Sequence, residues 1–97
     1  MSRKITQQAT EAFLNGKNFG ASNTTVVTEE GYSYLYLFGN NIAIKSDTGG
    51  IAIRNCGYKT NTTKERLNAL PGVSIQQKAG VWYLNGKEWN GEITAIK

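Results

Sequence analysis

The stretch from Thr60 to Gly91 constrains the fold of this chain more than any other part of its sequence. Within it, Thr62-Thr63-Lys64-Glu65 matches a capping box, in which a threonine hydroxyl and a glutamate carboxylate bond unpaired amides at a helix start. Pro71-Gly72 predicts the end of that helix after about two turns. Asn85-Gly86 is the strongest hairpin signal in the chain, because both residue types tolerate positive φ. The stretch therefore predicts a short helix followed by antiparallel strands at Val73–Lys78 and Val81–Leu84 around Ala79-Gly80.

The sequence before this stretch predicts a helix and then a series of strands. Residues 2–16 place apolar side chains on one helical stripe: Ile5, Ala9, Ala12 and Phe13. Ser2 is the predicted cap of this helix, and Lys17–Ser22 is predicted to be a loop. Four extended runs follow: Thr24–Glu29, Tyr32–Phe38, Ile42–Lys45 and Ile51–Asn55. The turns between these runs are too short for parallel crossovers, so the strands are predicted to be antiparallel.

Together these patterns predict one α+β domain spanning residues 1–97. Glu92–Ile96 is predicted to close the sheet as a last strand. The expected architecture is an antiparallel sheet of about five to seven strands, built from a meander and hairpins, with an N-terminal helix and a short second helix.

Composition narrows the chemistry that this chain could perform. Its 97 residues include no histidine, which removes Ser-His-Asp and Cys-His catalysis and the commonest transition-metal ligand. The seven acidic residues nominate no specific catalytic pair, and the glycines form no phosphate-binding pattern. The single cysteine, Cys56, rules out an intrachain disulfide and favours a reducing compartment. We therefore expect no enzyme activity, no cofactor and no metal site.

Charge and hydropathy indicate which partners to expect. No apolar run is long enough for a signal peptide or a membrane span, so we expect neither, and no membrane partner. Eleven basic and seven acidic residues give a net charge of +4. That balance is compatible with either a nucleic acid or an acidic protein surface as partner.

The most distinctive surface pattern is an aromatic row, Tyr32, Tyr34, Tyr36 and Phe38, whose alternation places it on one face of a strand. Lys45 and Arg54 emerge on the same side if the core face holds Leu35, Leu37, Ile42, Ile44, Ile51 and Ile53. Aromatic rings among basic groups suit stacking and phosphate contacts with single-stranded nucleic acid or a nucleotide. Tyrosines are also favoured strand residues that a helix could cover, and this packing interpretation is preferred.

A second group of candidates surrounds the predicted second helix. Trp82 and Trp89 flank the Asn85-Gly86 turn, where they are predicted to meet across the hairpin or to anchor the helix. Packing is the default interpretation for both, although exposed tryptophans would be hot spots for a protein partner. The basic residues near this helix are Arg54, Lys59, Lys64 and Arg66. A solvated helix face explains them as readily as phosphate contacts do.

Several motifs resemble those of a family of small bacteriophage proteins of poorly defined function. They are Thr62-Thr63-x-x-Arg66-Leu67-Asn68, Leu70-Pro71-Gly72-Val73, Gln77-Lys78, Trp82-Tyr83-Leu84-Asn85-Gly86 and Trp89-x-Gly91, with Gly57-Tyr58 and Tyr34-Leu35-Tyr36-Leu37-x-Gly39-Asn40 upstream. The likeness covers most of the chain beyond the first helix. It implies a phage accessory protein acting in the host cytoplasm, and it brings no catalytic or ligand residues with it.

The first functional hypothesis is a non-enzymatic inhibitor or modulator that binds a host protein or protein complex. Its target could belong to an anti-phage defence system, such as CRISPR or nucleotide-signalling immunity. Steric blocking would use Trp82, Trp89 and the tyrosines as anchors, with Lys64 and Arg66 as steering charges.

The alternative hypothesis is that the chain binds single-stranded nucleic acid or sequesters a nucleotide signal through Tyr34, Tyr36, Lys45 and Arg54. An enzyme would instead require a carboxylate-only or metal-dependent site, which no pattern locates. Exposed strand edges would also allow two copies to pair as a homodimer.

Overall fold

The computed structural model describes residues 3–21 and 23–96. Helix α1 spans Arg3–Asn15 and helix α2 spans Asn61–Asn68. The strands are β1 (Phe19–Ala21), β2 (Thr24–Glu29), β3 (Tyr32–Leu37), β4 (Asn40–Lys45), β5 (Ile51–Ile53), β6 (Ile75–Lys78), β7 (Val81–Leu84), β8 (Lys87–Glu88) and β9 (Thr94–Ile96). This arrangement confirms the predicted α+β class.

The strands form two antiparallel sheets. The larger sheet has six strands in the order β1-β2-β3-β4-β5-β9, so β9 returns from the C-terminal part of the chain to pair with β5. Strands β6, β7 and β8 form a separate three-stranded meander. The sequence pattern predicted these hairpins, but it contained no signal that they would leave the main sheet.

Helix α1 packs on β1, β2 and β3, and α2 contacts α1, β4 and β6. A single cluster of buried apolar side chains joins these parts and includes Phe13 of α1, Leu35 of β3, Leu67 of α2 and Trp82 of β7. Fully burying a side chain of this kind contributes roughly 1.5–3 kcal/mol. Both helices and the smaller sheet therefore share the core on one side of the larger sheet.

Four two-residue turns between neighbouring strands lie entirely within the described ranges 3–21 and 23–96, and each of these four ends in glycine. They are Glu30-Gly31, Phe38-Gly39, Ala79-Gly80 and Asn85-Gly86, with positive φ at both positions of every pair. Positive φ at both positions is the geometry of a type I′ turn, whose twist matches the twist of the strands it joins. The Asn85-Gly86 and Ala79-Gly80 turns were predicted. Phe38 was predicted to continue β3, but it is the first turn residue, with φ of 51°.

Two local predictions need correction, and a third falls outside the described residues. Thr60, not Thr62, caps α2, and its hydroxyl accepts a hydrogen bond of 3.2 Å from the Thr63 amide. The segment predicted as a loop before β2 contains the edge strand β1, which is held by its pairing with β2. The predicted cap at Ser2 lies outside the described residues.

A β-bulge in β4 changes which residues share a face. The pairing with β3 shifts between Leu35 and Tyr36, so that Asn41 lies opposite Tyr36 and Ala43 lies opposite Leu35. Ile42 is the extra residue and is buried in the core. The register then pairs Ile44 with Tyr34, so Ile44 lies on the tyrosine side and its predicted core position is wrong.

Candidate functional site

The uncovered side of the larger sheet is the candidate functional surface, here called the tyrosine face. Register places its residues in three cross-strand rows: Glu29 with Tyr32; Val27, Tyr34, Ile44, Ala52 and Ala95; and Thr25, Tyr36 and Asn41. Tyr32 and Val27 are 39% and 38% exposed, and Tyr34 and Tyr36 are half-buried. The Tyr32 and Tyr34 rings stack with centroids 6.4 Å apart. The predicted alternation of the tyrosines against Leu35 and Leu37 is therefore confirmed.

Packing explains why this face stays open. Val26, Leu35 and Ile53, which alternate with residues of the tyrosine face, are buried in the core shared with both helices. The smaller sheet joins the same core through Trp82 and Leu84. Since these elements all occupy the opposite side, the interpretation that a helix covers the tyrosines is wrong for the part of the chain that the structure describes.

The charge on the tyrosine face differs from the sequence prediction. Lys45 pairs with Ser33 on one side and Ile51 on the other, and Ser33 is fully buried. Because directly paired residues share a face, Lys45 lies on the core side, and its predicted position beside the tyrosines is wrong. The bulge in β4 is the cause, since an extra residue reverses the alternation beyond it.

Arg54 follows Ile53 directly and lies on the tyrosine side, as predicted. Its Nε donates to the backbone oxygen of Asn41 at 2.9 Å, and an Nη donates to the Asn41 carboxamide at 3.3 Å. The Asn41 carboxamide itself donates to the backbone oxygens of Leu35 and Ala43. Asn41, at the bulge and opposite Tyr36, thus holds the Arg54 guanidinium by hydrogen bonds. These bonds use part of the hydrogen-bond donors of Arg54.

The tryptophans form a packed pair rather than exposed anchors. Trp82 is 0% and Trp89 is 6% exposed, and their ring centroids are 6.3 Å apart across the hairpin. The indole N–H of Trp89 donates to Thr94 at 2.9 Å, which links the smaller sheet to β9. Their predicted meeting across the hairpin is confirmed, and their burial removes both from the surface.

Lys64 and Arg66 both belong to α2, but their surroundings differ. The Lys64 ammonium lies 5.9 Å from the Trp82 ring centroid and donates to Gln77 at 2.7 Å, so it braces α2 against the smaller sheet. Arg66 is 1% exposed. A buried guanidinium cannot steer a partner through solvent, so the predicted surface role of Arg66 is wrong.

Arg66 instead links three elements of the core. Its guanidinium donates to Thr24 of β2 at 3.0 Å, to Thr6 of α1 at 2.6 Å and to Glu65 at 2.8 Å, with a longer contact to Asn23. The Glu65 carboxylate balances the charge, and the planar fork of arginine reaches several acceptors at once. Arg66 is therefore a structural residue.

One feature that the sequence did not indicate lies at the end of the larger sheet. A pocket of about 240 Å³ opens between the β3–β4 turn and the start of α2. Phe38 and Tyr58 border it and are 70% and 53% exposed, whereas Leu37 and Ile42 are buried at its base. The residues come from distant parts of the chain, so only the fold brings them together.

Metal binding and membrane crossing each require a recognisable arrangement of residues. No group of three or more acidic or cysteine side chains among residues 3–21 and 23–96 is arranged to hold a metal ion. Neither helix in these ranges has the length and apolar content needed to cross a membrane. Cys56 is exposed, and its thiol donates to the backbone oxygen of Asn41.

Comparison with known proteins assigns the chain to a protein family. Residues 2–94 match the family model described as Kyanoviridae Gp96 protein. No curated protein and no solved structure matches. The match spans nearly the whole chain and agrees with the phage origin that the sequence motifs implied. The chain therefore belongs to the Kyanoviridae Gp96 family of bacteriophage proteins.

Proposed function

We propose that this phage protein binds a host protein through its tyrosine face and inhibits or modulates that protein. The supporting observation is a six-stranded sheet whose helices both lie on one side, leaving Tyr32, Tyr34, Tyr36, Val27 and Ile44 without a covering layer among the described residues. Contiguous exposed apolar surface of this kind marks interaction sites in soluble proteins.

The composition of the face favours a protein partner. Interface centres are enriched in tyrosine and depleted of charge, and their binding energy is concentrated in a few aromatic anchors. Strands β2 to β5 and the residue after β5 contribute Glu29 and Arg54 as the formal charges on this side. Tyr34 lies at the centre, between Val27 and Ile44, and is the expected anchor.

The nucleic-acid alternative has less support. Continuous single-strand binding combines stacking rings with cations that follow the phosphate backbone. Lys45 lies on the other side of the sheet, and Arg54 is partly engaged by Asn41. Glu29 beside Tyr32 would also repel a phosphate. The net charge of +4 therefore does not concentrate where the aromatic rings are.

The test is capture from nuclease-treated host lysate with tagged protein, read by mass spectrometry, followed by reconstitution of the complex from purified components. We expect the double variant, Tyr34→Ala with Tyr36→Ala, to lose capture of a specific host protein. The same double variant should keep a cooperative thermal transition. Tyr83→Ala is the matched control, because Tyr83 is a half-buried strand tyrosine of the smaller sheet. It should leave capture unchanged.

Three outcomes would contradict the proposal. Partner capture that survives the double substitution would show that another surface binds. Tight binding of a labelled oligothymidine that weakens steeply with salt would favour the nucleic-acid alternative. A dimer in light scattering that the double substitution converts to a monomer would assign the tyrosine face to a second copy.

A further inference from the structure

Three asparagines of this chain each precede a glycine, a sequence that makes an asparagine chemically labile. They are Asn15, Asn85 and Asn90. The backbone nitrogen that follows an asparagine can attack the carboxamide carbon of that asparagine and close a cyclic imide. Glycine permits this attack best, because no side chain shields its nitrogen. The three pairs are alike in sequence, so the surroundings of each asparagine decide which of them reacts.

The carboxamide of Asn85 is held at both of its polar atoms. Its oxygen accepts from the Ser74 amide at 2.9 Å, and its nitrogen donates to the backbone oxygen of Gly72 at 3.0 Å. Turning the carboxamide toward the next backbone nitrogen would break both bonds. Asn85 is therefore protected, although its side chain is exposed.

Asn15 is held through its backbone, since it is the last residue of α1. Gly16 has φ of 69°, and the Lys17 amide donates to the backbone oxygen of Ala12 at 2.9 Å. These features form a Schellman helix end. Ring closure requires rotation about the backbone bonds of Asn15, which would open this helix end.

Asn90 lies in the connection between β8 and β9, and its surroundings favour the reaction. It is exposed, and its carboxamide oxygen accepts from the Glu92 amide at 3.0 Å. That oxygen becomes negatively charged as the glycine nitrogen attacks, and an N–H donor already aimed at it lowers the barrier. Among residues 3–21 and 23–96, the leaving nitrogen of Asn90 has no hydrogen-bond partner.

We propose that Asn90 is a site of spontaneous deamidation in the folded protein, and that the fold protects Asn85 and Asn15. The Gly91 nitrogen loses its proton to hydroxide and forms a bond to the carboxamide carbon of Asn90. The bond from that carbon to Nδ2 then breaks, and ammonia leaves with a proton taken from water. Water opens the resulting imide at either carbonyl, which gives aspartate or isoaspartate. The net change replaces ammonia by water, without oxidation or reduction.

The isoaspartate product would disturb a tightly packed position, because it adds a methylene to the backbone before Gly91. A β-carbon on Gly91 would collide with the Asn55 side chain. The Gly91 oxygen also accepts from the Asn55 amide at 3.0 Å, which ties this connection to the end of β5. We therefore expect the isoaspartate form to unfold at a lower temperature than the Asn90→Asp variant.

The experiment incubates the full chain at mildly alkaline pH and follows each asparagine by tryptic digestion and liquid chromatography with mass spectrometry. Cleavage after Lys17 and Lys87 places the three asparagines on separate peptides. Asn90 should convert about tenfold faster than Asn85, which corresponds to a barrier lower by about 1.4 kcal/mol. The rate should rise with pH, because the attacking nitrogen must lose a proton.

Two controls show whether the fold sets this order. In denaturing urea the rates at the three asparagines should converge, since the bonds that distinguish them are lost. Asn90→Gln should stop conversion at position 90 and leave Asn85 unchanged, because glutamine would have to close a larger ring. Conversion of Asn85 or Asn15 in the folded chain as fast as that of Asn90 would overturn the proposal. It would also be overturned if Asn90 stayed intact in the folded chain while the unfolded chain reacted.

Discussion

Two groups of aromatic side chains in this protein, Trp82 with Trp89 and Tyr34 with Tyr36, lie on or beside antiparallel strands but meet opposite surroundings. The tryptophans are sealed between the smaller sheet, α2 and β9, and both are less than 7% exposed. The tyrosines lie on strands of the larger sheet whose other side supplies the core. Alternation assigns successive strand residues to opposite faces of the sheet. The side on which helices or another sheet pack decides which of the two faces is buried.

The difference in burial changes what each pair of aromatic residues contributes. Buried aromatic residues contribute to stability through packing, whereas exposed ones leave their transfer free energy available for a partner. Among residues 3–21 and 23–96, the indole N–H of Trp82 has no hydrogen-bond partner, so Trp82 contributes through apolar packing and through its contact with the Lys64 ammonium. Substitutions in the two groups should therefore affect different measurements.

The largest expected effect is that of Trp82→Ala. Removing a fully buried indole leaves a cavity and should lower the free energy of unfolding by about 3–5 kcal/mol. Tyr34→Ala should lower it by about 1 kcal/mol, because cross-strand pairs of this kind each contribute less than that. Urea denaturation followed by far-ultraviolet circular dichroism measures both. Equal losses would mean that the tyrosine face is part of the core and is not a binding surface.

The next effect compares two arginines that the sequence placed in one basic cluster. Arg66→Ala should lower the free energy of unfolding by about 3 kcal/mol, because Thr6, Thr24 and Glu65 lose a shared buried donor. Arg54→Ala should cost about 1 kcal/mol or less, since it breaks partly exposed bonds to Asn41. Arg66→Lys is the sharper variant, because a lysine keeps the charge but cannot bond all three partners. Full stability of Arg66→Lys would contradict the network described for the guanidinium.

The smallest expected effect has the opposite sign. Phe38→Asn should raise the free energy of unfolding by about 0.5–1 kcal/mol, because asparagine suits positive φ and the exposed ring contributes little to the core. Thermal unfolding monitored at 222 nm measures the gain in the free energy of unfolding. The matched control is Ala79→Asn, at the equivalent turn position of the smaller sheet. A loss of stability in Phe38→Asn would show that the ring belongs to the fold.

Local signals in the sequence predicted much of the fold. The Asn85-Gly86 and Ala79-Gly80 turns, strand β2 at Thr24–Glu29 and strand β7 at Val81–Leu84 agree with the structure. The failures occur where the residue pattern does not show which strand pairing or hydrogen bond forms. Strand β1 has three residues and depends on its pairing with β2, and the cap of α2 moved to Thr60 because that hydroxyl reaches the Thr63 amide.

The candidate site was less predictable than the fold. The sequence predicted correctly that Tyr32, Tyr34 and Tyr36 share one face, because side chains in a strand alternate with a period of two. The side of the sheet occupied by Lys45 was not, because a bulge at Ile42 carries no clear signature in sequence. The pocket at Phe38 and Tyr58 was also missed, since its walls are about twenty residues apart and meet through the packing of α2 on β4.

The sequence by itself determined most of the secondary structure and the alternation of Tyr32, Tyr34 and Tyr36, because these depend on interactions between residues close together in the chain. It also excluded catalysis by a histidine of this chain, since its 97 residues include none. The tertiary structure alone decided that the tyrosines remain open, that Trp82 and Arg66 are buried and that Phe38 borders a pocket. These outcomes depend on which side of the sheet the helices and the smaller sheet occupy, and that choice is made by burial summed over the whole chain.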